Sequence, residues 1–153
     1  DSRDATFKAG TKITVVGSLS LVSVPNGLEF GSNSVSNKLE TYRPTATGTL
    51  VVSDTRGGAR KPWRLTLSQS ETLKNGTISL EDALYYTSTL GEKPITTASQ
   101  IVESGSFSSD GSKDISAGWT GNNGFKLSVP VEKQRVGEYS GKLSWQLEDV
   151  PGN

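Results

Sequence analysis

Trp63-Arg64-Leu65-Thr66-Leu67-Ser68 and Leu143-Ser144-Trp145-Gln146-Leu147-Glu148 are the two stretches whose pattern decides the fold. Side chains on a β-strand alternate between its faces, so a strand buried on one side alternates apolar and polar residues. Trp63, Leu65 and Leu67 share one face of the first stretch. In the second, extended back to Tyr139, the residues Tyr139, Gly141, Leu143, Trp145 and Leu147 share a face. Ser140, Lys142, Ser144, Gln146 and Glu148 take the other.

Working outward, the same period of two recurs at Ser18–Leu21 and at Phe125–Val131. Ile13–Val16 is an apolar run before the first of these, Gly48–Val52 reads as a more buried strand, and Ala83–Thr87 and Ser99–Glu103 are further strand candidates. Asn75-Gly76 is a hairpin-type dipeptide, followed by Ile78 and Leu80 on one face. Gly- and Pro-bearing segments separate the runs, among them Pro25-Asn26-Gly27, Arg56-Gly57-Gly58, Gly91-Glu92-Lys93-Pro94 and Gly121-Asn122-Asn123-Gly124. Ser70–Lys74 and Glu81–Tyr86 have room for one short helical turn each. Pro130 lies inside an alternating run and cannot donate to a ladder, which places that strand at an edge or a bulge. The expectation is an all-β, antiparallel or mixed β-sandwich with long loops, forming a single domain over residues 1–153.

Composition narrows the chemistry. The 153 residues contain no Cys, Met or His, while Ser and Thr together make about a quarter of the chain. Without His or Cys there is no imidazole base, Ser-His-Asp or Cys-His arrangement, disulfide, zinc finger or iron–sulfur site. Sixteen basic and sixteen acidic residues leave a formal charge of zero, which argues against a nucleic-acid partner. No apolar run approaches the length of a membrane-spanning helix. The absence of an initiator Met fits a processed chain that has lost a signal peptide, or a trimmed one. A Cys-free, Ser/Thr/Gly-rich, strand-rich chain suits a secreted bacterial surface protein better than a cytosolic enzyme.

The remaining acid/base groups are carboxylates, and they read as solvated surface charge rather than a hydrolase pair. Asp110-Gly111-Ser112-Lys113-Asp114 opens like a calcium loop, but Ile115 and Gly121 stand where such a loop needs Gly and Glu. It reads as an Asp-Gly turn. No catalytic residue, metal ligand or cofactor is therefore assigned.

The three tryptophans, Trp63, Trp119 and Trp145, are the candidate binding residues. Two of them begin a Trp-x-Leu motif, Trp63-x-Leu65 and Trp145-x-Leu147. Two readings stand side by side. Trp and Leu two apart on a strand are what a sandwich core is made of. They also make an aromatic platform for a sugar or an apolar partner group, with the indole N–H as polar handle.

These residues and their flanks resemble the WxL domain of Gram-positive cell-surface proteins. Leu19-Ser20-Leu21, Val24-Pro25 and Leu28-Glu29-Phe30-Gly31 look like its N-terminal segment. Val52-Ser53-Asp54-Thr55-Arg56-Gly57 followed by Pro62–Ser68 looks like its first motif. Leu127–Pro130, Gly137-Glu138-Tyr139 and Leu143–Pro151 look like its C-terminal signature. The resemblance spans nearly the whole chain. It implies an extracellular, non-catalytic module held non-covalently on peptidoglycan of the cell wall. It also implies complexes with a membrane-anchored WxL-interacting surface protein, and roles in adhesion and in binding host extracellular-matrix proteins. Asp54 and Arg56 are expected to close the turn at Gly57-Gly58, with Arg56 stacking on an indole, or else to contact ligand.

Overall fold

A computed structural model describes residues 4–8, 19–25, 27–32, 38–57, 60–134 and 140–150. The strand expected at Ile13–Val16 lies outside them, as do Ser18, Asn26, Gly58, Gly137-Glu138-Tyr139 and Pro151.

The described residues form fourteen strands: β1 (Asp4–Lys8), β2 (Leu19–Ser23), β3 (Gly27–Ser32), β4 (Glu40–Tyr42), β5 (Thr45–Thr47), β6 (Val51–Asp54), β7 (Trp63–Asn75), β8 (Ile78–Ser79), β9 (Leu84–Ser88), β10 (Gly91–Pro94), β11 (Gln100–Gly105), β12 (Gly111–Asp114), β13 (Gly124–Val129) and β14 (Ser140–Asp149). Two 3-10 turns, Ile115–Gly118 and Val131–Lys133, are the only helical pieces among the described residues. The pairings are antiparallel and make four sheets, ordered β10-β9-β13-β4, β11-β7-β14, β12-β6-β2 and β1-β3-β5. β8 folds back on β7 through the Asn75-Gly76 hairpin, as its turn dipeptide requires, with Gly76 at φ +58°. The fold is all-β, as the alternation predicts.

β7 and β14 form the spine. The alternating residues Trp63, Leu65 and Leu67 of β7 and Leu143, Trp145 and Leu147 of β14 point into one core cluster. Leu84 and Tyr86 of β9, Phe125, Leu127 and Val129 of β13, and Leu19, Leu21 and Val52 from β2 and β6 meet them there. Each such Leu stabilises the fold by roughly 1.5–3 kcal/mol through removal of apolar surface from water.

Several expectations change. Ser70–Lys74 is the continuation of β7 rather than a helical turn. The register of β7 against β14 shifts on either side of Lys142, so the period of two breaks there and the segment loses its strand signature. Gln69, buried at this irregularity, takes the place of missing ladder bonds. Its Nε2 donates to the Ile95 carbonyl (2.6 Å) and its Oε1 accepts from the Leu73 amide (2.8 Å). Glu81–Ala83 is a turn and Leu84–Ser88 a strand, so no helix forms there either.

Pro130 does not mark an edge. β13 lies between β9 and β4, and Pro130 falls one residue past its end, where it caps the 3-10 turn and no ladder donor is needed. The edge proline is Pro94. The Gly91–Pro94 segment, expected as a turn, is strand β10, paired only with β9 in its sheet, with Gly91 at φ +96° opening it.

Candidate functional site

The two Trp-x-Leu motifs lie side by side on neighbouring antiparallel strands. In the β7–β14 register Leu65 is opposite Leu147, Leu67 opposite Trp145, and Trp63 opposite Asp149. Antiparallel pairing sends the two indoles to opposite ends of the leucine pair. Trp63 packs toward Phe107, with ring centroids 6.4 Å apart, and lies against Gly105, its partner on β11. A Cβ on Gly105 would fall 2.7 Å from the Trp63 indole, so any larger residue there would press on the ring. Trp145 packs edge-to-face with Tyr86 (6.3 Å) and Phe125 (6.0 Å). Trp63 and Trp145 are 1% exposed, and Leu65 and Leu147 are fully buried. Of the two readings of these residues, the geometry is that of core. Trp145 Nε1 is buried without a hydrogen-bond partner, so the core uses the shape of this indole and not its polar handle. The outward face of the same strands carries an Arg64–Glu148 ion pair.

Asp54 and Arg56 form a second buried feature at the end of β6. The Asp54 side chain is fully buried and accepts from the Arg56 amide (2.9 Å), Arg56 Nε (3.0 Å) and Arg56 Nη2 (2.8 Å). Arg56 Nη2 also donates to the Lys61 carbonyl at 2.7 Å, which clips the connection from β6 to Trp63. Arg60, absent from the sequence expectations, approaches Asp54 at 3.2 Å and pairs with Asp110. Two acids and two arginines thus offset each other. The hydrogen bonds from Arg56 hold the Asp54 carboxyl down at about 2 from its ordinary 3.8. The guanidinium of Arg56 is committed to Asp54 and Lys61 rather than to an indole face. Asp110 and Asp114, the acids of the calcium-like sequence, are engaged separately: Asp110 with Arg60, Asp114 with Ser116 and the Ala117 amide as cap of the 3-10 turn.

Trp119 is different. It is only half-buried, and it lies just after the 3-10 turn at Ile115–Gly118. Its indole N–H donates to the Tyr86 hydroxyl (2.7 Å), which donates in turn to Glu103 (2.6 Å). Tyr86 and Phe125 meet the ring edge-on at 6.0 and 5.5 Å. Gly124, at φ +93°, supports it from β13; a Cβ there would come 3.0 Å from the indole. Trp119 is therefore joined to Trp145 through two shared aromatic neighbours, Tyr86 and Phe125, but only Trp119 reaches the surface. It lines two clefts, one of about 290 Å³ with Arg43, Ser116, Asn123 and Phe125. The other, of about 190 Å³, includes Thr87, Glu103, Lys113 and Asn123.

Glu103 and Tyr86 escaped the sequence reading. Glu103 is not a solvated surface charge: burial pushes its carboxyl up, and burial likewise raises the Tyr86 hydroxyl. The one available signal was position: Glu103 and Tyr86 sit on alternating strands that also carry core residues.

The described architecture defines a class: an all-β domain with paired Trp-x-Leu strands as its spine and a polar-lined aromatic surface above it. The sequence model of the WxL domain family, described as surface cell wall-binding, matches residues 3–151, and the chain belongs to that family. No curated protein matches the chain. Among the described residues no helix is long and apolar enough to cross a membrane.

Proposed function

We propose that the chain is a non-catalytic module that attaches non-covalently to peptidoglycan on the outside of a Gram-positive cell. There it would form complexes with a membrane-anchored WxL-interacting protein and act in adhesion. The observation that carries the wall attachment is the family match over residues 3–151, whose description is surface cell wall-binding. The burial of both Trp-x-Leu motifs supports a division of labour, in which these motifs hold the domain together and the wall contact lies on other residues.

Sedimentation with purified peptidoglycan sacculi tests the attachment: the protein is expected in the pellet, and recovery in the supernatant would contradict it. Zymography on cell walls tests the absence of catalysis, with no clearing expected. Capture of envelope proteins by the domain, with and without sacculi, tests the partner complex. A membrane-anchored protein retained without sacculi is the expected outcome.

A further inference from the structure

The two clefts at Trp119 share both Trp119 and Asn123 as walls. Together their volumes fall in the lower part of the roughly 300–1,000 Å³ range of small-ligand sites. Their linings differ in charge. The first offers Arg43 and Ser116. The second offers Glu103, Lys113, Thr87 and Thr89. Between them stands an indole whose N–H is already bonded inward to Tyr86, and whose position is fixed by Tyr86, Phe125 and Gly124. A fixed aromatic surface flanked by planar amide, guanidinium and hydroxyl groups has the chemistry to hold a sugar ring. The C–H face of the sugar lies on the indole, and its hydroxyl and N-acyl groups meet the polar rim.

We propose that these clefts form one glycan-binding groove astride Trp119, taking an N-acylated amino-sugar disaccharide with a carboxylate-bearing substituent. The carboxylate lies on the Arg43 side, because Arg43 is the charged residue lining that cleft, while in the opposite cleft Lys113 is outnumbered by the acids Glu103 and Asp114. Asn123, common to both clefts, bridges the two sugars. This inference rests on the wall-binding reading above and names its contact.

The test uses the full chain and its W119F, N123A and R43A variants, each checked for fold by circular dichroism. Two probes are compared: whole sacculi, and soluble fragments in two forms, neutral N-acetylglucosamine oligomers and disaccharide-peptides bearing carboxylates. The expected result is saturable quenching or shift of Trp emission by both soluble probes in the wild type, with about tenfold or greater weakening in W119F and N123A when affinity is measured by isothermal titration calorimetry, which needs no indole reporter. R43A is expected to lose affinity for the carboxylate-bearing fragment by about tenfold while keeping the neutral oligomer. N123A and R43A leave the indole and its hydrogen bonds intact, so they decide the matter if W119F does not fold. If the wild type pellets with sacculi and the folded variants pellet and titrate equally well, the groove is wrong and wall attachment stands. If the wild type neither pellets nor binds soluble fragments, both fall. If it binds fragments through Trp119 but does not pellet, the groove stands and attachment to the assembled wall falls.

Discussion

Trp145 and Trp119 share neighbours, since Tyr86 and Phe125 touch both rings, yet they occupy opposite physical regimes. Trp145 is sealed between β14 and the β9–β13 face, with its N–H unpaired. Trp119 is half-buried, has its N–H satisfied by Tyr86, and borders two open clefts. The difference shows what a motif name conceals. The tryptophans within the Trp-x-Leu repeats are the ones least able to touch a ligand, and the tryptophan outside any repeat is the one that can.

Truncation should separate the buried tryptophans from Trp119 by the largest margin. W145A and W63A are expected to destabilise the domain by about 3–5 kcal/mol each, measured by urea denaturation, because each leaves a large cavity in a close-packed core. W119F should keep the packing and lose only the bond to Tyr86, at about 1 kcal/mol. Equal losses in all three would erase the distinction.

Next in size is the buried lock beside the first motif. D54N leaves Arg56 and Arg60 facing a neutral amide, at a cost of about 3 kcal/mol. The carboxyl of Asp54 titrates at about 2 folded and 3.8 unfolded, so the folded state binds fewer protons between those values. Its contribution is complete above about pH 4 and is lost as pH falls toward 2. The wild type should therefore lose stability over that window more steeply than D54N, as denaturation midpoints against pH would show. Parallel slopes would contradict the assignment.

G105A tests the seat of Trp63. The added methyl would press on the indole, and about 1–3 kcal/mol is expected from overpacking, with perturbed near-ultraviolet dichroism. The smallest effect is on the outer face of the same strands. R64A is expected to change stability by less than about 1 kcal/mol, since the Arg64–Glu148 pair is solvent-accessible on both sides.

The strands that carry core residues were legible because one-sided burial writes a period of two into the sequence. That pattern placed Trp63, Leu65, Leu67, Leu143, Trp145 and Leu147 on the right faces. β10 and β12 were not legible, since Gly91–Pro94 and Gly111–Asp114 are short and mostly or wholly exposed, and nothing in their side chains alternates. Ser70–Lys74 misled because a register shift interrupts the period within a continuing strand. For the site, the residue types were legible and their exposure was not. Trp-x-Leu reads identically whether its face meets a core or a ligand, and only the second sheet packed over β7 and β14 decides. Glu103, Tyr86 and Asn123 converge on Trp119 from separate strands and turns, a juxtaposition no local pattern encodes.

Trp119 alone among the three tryptophans has a face open to solvent. Acrylamide quenching of the wild type and of W119F measures that exposure. A quenchable fraction of the emission in the wild type, protected by disaccharide-peptide fragments and absent from W119F, is the predicted result. A quenchable, fragment-protected fraction that survives in W119F would instead place the contact on Trp63 or Trp145.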